Sequence, residues 1–219
     1  MPRPSRNIDQ LLINAALELL PAAGTRALSI RQVCEHAGVN LGMFHYHFKA
    51  RDAFLRVVLQ QTYDAMFATL ALEAQRHPAP KESLRAAIMT LACFARDHRH
   101  LLVRLINDAI AGEAVAIEFL QANLPRHVGL LDKLIAGAQR EGTLRRIPRL
   151  QAFAFLIGGV GASILLGTAA ADSTLLPAPV ADQFEKVILT DAGIALRVEM
   201  ALAGLAPPPA RKTKTGGRT

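Results

Sequence analysis

Apolar positions recur with helical period over most of the chain. Ile8, Leu11, Leu12, Ala15, Ala16, Leu19 and Leu20 form one i, i+3, i+4, i+7 stripe and predict a first amphipathic helix. Pro21 is expected to disturb its last turn and Gly24 to end it. Two short helices follow, marked by their caps. Ser29 with Gln32 makes a capping box, and Leu28 and Val33 stand at the staple positions. After Ala37 and Gly38, Asn40 caps a helix of about two turns, with Val39 and Phe44 as its staple. Two capped helices around a glycine turn are the layout of a helix-turn-helix, whose second helix enters the major groove.

The rest of the pattern is helical as well. A long helix is predicted from Arg51 to about Arg76, where His77, Pro78 and Pro80 break it. Further runs cover roughly 81–97, 100–111, 113–141, 149–171 and 180–203, separated mainly by Gly112, Gly142, Pro148 and the stretch 173–179. No segment alternates as a strand would, so the expected fold is all-α. The expected units are a helix-turn-helix DNA-binding domain over 1–52 with a flexible arm at 1–7, a helical body over 53–206, and a basic disordered tail over 207–219.

Composition changes this picture in two places. The net charge of +7 is uneven. Residues 1–60 carry seven basic against four acidic side chains, residues 61–206 balance, and the last thirteen residues add four cations and no acid. A basic head on a neutral body fits an electrostatic DNA footprint at one end. The second place is the charge-free run 152–171, long enough for a membrane span. It lacks flanking Trp or Tyr belts, and its neighbours are amphipathic and charge-balanced, so a buried helix is the preferred reading. A membrane-associated helical sensor using 152–171 is the alternative. Two cysteines without a CxxC pair suit a reducing cytoplasm, and the N-terminus has no apolar stretch of the kind a signal peptide carries.

Enzymatic chemistry finds no support in the motifs. A glycine-rich phosphate loop, a nucleophile elbow, an HExxH pair and a credible carboxylate pair are all missing, so no catalytic residue and no cofactor is assigned. His45, Tyr46 and His47 are consecutive on a helix and point about 100° apart, so they do not converge on a metal. The cluster Asp97, His98, Arg99 and His100 sits at a helix junction and reads as solvated surface, with a sensing or metal site as the lesser alternative. Cys34, beside Val33, reads as a small core residue rather than a redox group.

The run SIRQVCEHAGVNLGMFHYHFKARDAFL, from Ser29 to Leu55, closely resembles the N-terminal signature of TetR-type transcription regulators, and LINAALELLPAAGTRAL upstream is similar to that family's first helix. The places that carry the resemblance are Ala37, Gly38, Val39, Gly42, Tyr46, His47, Phe48 and Arg51. It covers about the first 60 residues; the remainder is similar only in architecture, which implies a helical ligand-binding and dimerisation domain over 53–206. The resemblance implies a cytoplasmic, ligand-responsive repressor that binds a palindromic operator as a homodimer, with double-stranded DNA and an unknown small, largely apolar effector as partners and no membrane. Three residues depart from the family pattern. His45 stands where tyrosine is usual, Leu41 where a lysine or polar group is common, and Ala50 where a capping residue is expected.

Site residues follow from this reading. Asn40, Leu41, Gly42 and Met43 begin the groove helix, and Leu41 or Met43 is expected to touch a thymine methyl. Arg31, His45, Tyr46, His47, Lys49 and Arg51 are expected at phosphates, with Arg6 on the arm and Ser29 at the cap completing the DNA set. For the cavity, Met66, Phe67, Met89, Phe94, Phe119 and Phe155 are candidate walls, while Arg104, Asn107 and Asp108 would orient a polar group. Gly159, Ser163 and Gly167 form a small-residue ridge. With Phe184, Val187, Ile188, Ala195 and Val198, that ridge would build a four-helix dimer interface. A ligand would then shift the spacing of the two heads through the helix that starts near Arg51.

Overall fold

The computed structural model describes residues 8–173 and 175–208, and among these every regular element is helical. Arg6 and the tail from residue 209 lie outside the described residues. In chain order the helices are α1 (Ile8–Ala27), α2 (Ile30–Ala37), α3 (Leu41–Phe48), α4 (Arg51–Arg76), α5 (Pro80–Asp97), α6 (Arg99–Ile110) and α7 (Ala114–Arg140). After them come α8 (Arg149–Ile157), α9 (Ser163–Asp172), α10 (Ala178–Gln183) and α11 (Asp191–Gly204). Residues Gly158–Ala162 and Phe184–Ile188 are π-helical, and the first of these joins α8 to α9 as one 24-residue rod.

The caps form as the sequence predicts. Ser29 Oγ accepts from Gln32 N at 3.2 Å while Ser29 N donates to Gln32 Oε1 at 3.1 Å. Gly38, at φ 63°, closes α2 in the left-handed conformation that its missing Cβ allows. Ala50 leaves α4 without a side-chain cap. One boundary differs from expectation. Helical geometry breaks at Gly24 (φ 71°, ψ 175°) but resumes for a last turn to Ala27, because that turn is held from outside the helix, as described below.

Two apolar cores result. The first gathers Leu12, Ala16 and Leu20 of α1, Val33 and Cys34 of α2, Phe44 of α3 and Phe54, Leu55 and Val58 of α4. The rings of Phe44 and Phe48 pack on Phe54 at 5.2 and 4.7 Å, which fixes α3 against the start of α4. Leu101 and Leu105 of α6 and Val115 and Ala116 of α7 belong to this same core, so α1 lies along α6 rather than standing apart from it. Burial raises the pKa of the Cys34 thiol, which keeps it unreactive. The second core joins the C-terminal half of α4 to α5, α7, the α8–α9 rod and α11.

The α8–α9 rod is long and apolar enough to cross a membrane, yet it packs into the second core through Ala152, Leu156, Val160, Ile164 and Thr168, four residues apart. Its other edge and the outer side of α11 expose Phe155, Leu166, Leu196 and Met200. Several residues expected at a dimer interface sit elsewhere. Val198 is 1% exposed within the chain's own core. Phe184 folds over Gly167 of the same chain, occupying the space a Cβ there would need. Ile188 and Ala195 are half-buried, and Ser163 turns its hydroxyl back to the Val160 carbonyl at 2.8 Å. Gly159 and Val187 are exposed.

The 97–100 cluster divides among separate partners. Asp97 pairs with Arg96, Arg99 faces Glu185 at 3.7 Å, His100 faces Asp172 at 3.0 Å, and His98 packs its ring 4.3 Å from Phe94. Among the described residues no group of side chains could hold a metal ion. Burial holds the pKa of His98, and that of His127 on α7, below the ordinary histidine value. The unfolded chain therefore binds protons that the folded chain refuses, and stability falls as pH drops through about 6.5. Denaturation midpoints across that range should decline toward acid, and His127→Phe should flatten part of the slope.

Candidate functional site

The outer face of α3 is left free because its other sides are committed. Asn40 Oδ1 accepts from Met43 N at 2.9 Å, so the Asn40 side chain is spent on the cap. Phe44 and Phe48 face the core, and Met43 is half-buried. Leu41, Gly42, His45 and Tyr46 remain exposed at i, i+1, i+4 and i+5, with Tyr46 at 78%. His47 and Lys49 are also exposed, and Lys49, at φ 56°, ends the helix with positive φ. Arg31 projects from α2 and, among the described residues, is tied to Glu35 one turn on. Ser29 is engaged in the α2 cap.

Arg51 departs from the phosphate-binding expectation. Its guanidinium donates to the carbonyls of Leu28 (3.0 Å), Arg26 (3.1 Å) and Thr25, and it pairs with Asp52 at 3.0 Å. Those bonds take four of its five N–H donors, three of them on backbone carbonyls of the head. The amides of the same turn are taken by Asp108, which was expected beside a cavity. Asp108 Oδ2 accepts from Thr25 N at 2.6 Å, from Thr25 Oγ1 at 2.7 Å and from Arg26 N at 3.3 Å. A Cβ on Gly24 would stand 2.7 Å from that carboxylate oxygen, so both the approach and the positive φ require glycine. The end of α1 is thus gripped by α4 on its carbonyl side and by α6 on its amide side.

Helix α6 also forms one wall of a cavity of about 350 Å³, through Leu102, Leu105 and Ile106. Met66, Phe94 and Phe119 line it as expected from sequence. Phe67 and Met89 pack into the surrounding core without reaching the cavity, and Arg104 and Asn107 are exposed on the far side of α6. Phe155 is half-exposed on the outer edge of the rod, its ring against Gly204. Ile157, Val160, Gly161, Ala162 and Leu165 bring the π-helical segment and its flanks to the cavity instead. Sequence reading missed the polar wall residues Tyr63, Asn123 and His127. A buried asparagine within the apolar run of α7 was the available signal.

Residues 12–58 match the family model described as "Bacterial regulatory proteins, tetR family". Over those residues the head is similar to the TetR family of regulators. Similar proteins include the HTH-type transcriptional repressor KstR2 of Mycolicibacterium smegmatis, 29% identical over 107 residues, covering 48% of this chain and 51% of that one. The regulator RutR of Escherichia coli is 25% identical over 136 residues, covering 62% and 64%. The chain therefore spans between half and two thirds of the length of these relatives. Among solved structures, the Bacillus subtilis regulator FadR, crystallised with stearoyl-CoA, superimposes with a TM-score of 0.68 at 16% identity, covering 89% of this chain and 98% of FadR. The TetR-type fold thus extends through the body, where sequence similarity is slight.

Disrupting the grip should loosen the head locally. In Asp108→Ala, amide hydrogen exchange at Thr25 and Arg26 should accelerate, and stability should fall by about 1.5 to 3 kcal/mol, as for the removal of a charged hydrogen bond. Unchanged protection at both amides would show that the carboxylate does not hold the turn.

Proposed function

We propose that this chain is a TetR-type, cytoplasmic, ligand-responsive transcription regulator, acting as a repressor, which binds a palindromic operator as a homodimer. The observation that carries this reading is the uncommitted outer face of α3, where Leu41, Gly42, His45 and Tyr46 stand exposed on a helix whose cap and core anchors are otherwise occupied. Gly42 permits close approach to a base step, and Leu41 is better placed than half-buried Met43 to meet a thymine methyl. Arg31, Lys49 and the tyrosine and histidine side chains flank that face and supply phosphate contacts, with Arg51 excluded by its internal bonds.

Homodimerisation is supported by the apolar outer edge of the body. Phe155, Gly159 and Leu166 on the rod, with Leu196 and Met200 on α11, present a stripe that water disfavours and a twofold copy would cover. Two recognition helices about 34 Å apart would then read two half-sites. A small, largely apolar effector entering the cavity would move α6, and with it the gripped turn of α1, as well as α4. The bound stearoyl-CoA of FadR is a precedent for an apolar chain in this fold, though not for its identity here.

Selection of bound DNA from a random pool tests the reading. An inverted repeat should be enriched, and Leu41→Ala should relax preference at one thymine in each half-site. Lys49→Ala should weaken all sequences alike and lower the slope of log K against log salt by about one for each phosphate that the lysine neutralises. A combined Leu196→Glu and Met200→Glu variant should sediment as a monomer and lose the inverted-repeat preference. Sequence-independent binding by the intact protein would overturn operator recognition, and recovery of the chain only from membranes would favour the sensor alternative.

A further inference from the structure

The polar end of the cavity restricts its occupant more tightly than the apolar walls do. Tyr63 Oη lies 2.8 Å from the Asn123 carbonyl oxygen and 3.2 Å from His127 Nδ1. A carbonyl has no proton to give, so the single phenolic proton points to Asn123. The contact with His127 must then be an Nδ1–H donating to Tyr63 Oη. Burial keeps His127 neutral, and a neutral imidazole has one N–H, so its Nε2 carries a lone pair. Among the described residues Nε2 has no hydrogen-bond partner, and His127 lines the cavity. The Asn123 side chain offers nothing equivalent. Its amide donates to Gln60 Oε1 and to the Phe119 carbonyl, both at 3.0 Å, and its oxygen accepts from Gln60 at 3.2 Å.

Charge is absent from the walls: among the described residues, no Asp, Glu, Lys or Arg lines the cavity. A neighbouring cation, Arg126, lies outside it. Arg126 pairs with Asp64 at 2.7 Å, donates to Asn123 Oδ1 at 3.3 Å from behind the wall, and spreads its guanidinium over the rings of Tyr63 and Phe67, 5.0 and 4.4 Å from their centres. A carboxylate or phosphate in this cavity would be buried without a counter-charge, at large cost. A pure hydrocarbon would make no hydrogen bond with the Nε2 lone pair.

We propose that the cavity takes an uncharged, monohydroxylated hydrocarbon, such as a medium-chain fatty alcohol or an alicyclic alcohol of similar bulk, whose hydroxyl donates to Nε2 of His127. The volume of about 350 Å³ stands at the small end of ligand pockets, which suits such a molecule. The assignment rests on the reading of this cavity as the effector site, and the test separates the two.

Calorimetric titration of the full-length protein would compare decanol with its methyl ether and with decanoate, alongside release of the selected operator by each. Decanol should bind about tenfold more tightly than the ether, the step expected for one buried hydrogen bond, and more tightly still than decanoate. His127→Phe should bring decanol and ether to near-equal affinity. Nitrogen NMR of the ligand-free wild type should find one histidine protonated at Nδ1 and bare at Nε2, a readout that stands even where the variant misfolds. Ether or decanoate binding as tightly as decanol, the opposite tautomer, or no binding by any probe would overturn the assignment. Selective decanol binding without operator release would retain it and overturn the effector reading, whereas release without hydroxyl preference would do the reverse.

Discussion

One backbone turn, Gly24 to Leu28, is held by opposite charges from two directions, and the relation between head and body depends on it. The Arg51 guanidinium takes its carbonyls and the Asp108 carboxylate takes its amides. Hydrogen bonds to charged groups contribute about 1.5 to 3 kcal/mol each, so this short segment is among the better secured in the molecule although it is not regular helix throughout. The first core adds to the same connection, since Leu101 and Leu105 of α6 pack among head residues. The linker helix α4 is therefore one of two routes between the parts, and α6 is the more direct, because Leu105 belongs both to the first core and to the cavity wall.

The α8–α9 rod plays a comparable double part. Its inner edge contributes Ile157, Val160 and Leu165 to the cavity, and its outer edge carries the exposed Phe155 and Leu166. The π-helical segment Gly158–Ala162 lies where these duties meet, at glycines that let the rod depart from regular α geometry. An occupant pressing on the rod would act on the proposed twofold face as well as on α6, so the two would respond together.

The parts legible in the sequence were those governed by local rules. Caps at Ser29 and Asn40, the glycine closing α2 and the helical stripes depend on residues within a turn or two, and they form as read. The roles of Arg51 and Asp108 were not legible because their partners lie 23 to 26 and 82 to 83 positions away. Asp108 shares the polar side of α6 with Arg104 and Asn107, and nothing in their spacing says which faces a ligand and which faces a neighbouring helix. Phe155 and Val198 failed for a different reason. Their helices are apolar on nearly every side, so periodicity no longer separates the face turned to the core from the face turned outward.

The chain has no tryptophan and only two tyrosines. Tyr46 stands on the open face of α3, while Tyr63 meets His127 at the cavity. Excited beyond phenylalanine absorption, its emission therefore comes from two rings, one on the open face of α3 and one at the cavity, and the native protein carries its own pair of optical reporters without a label being added.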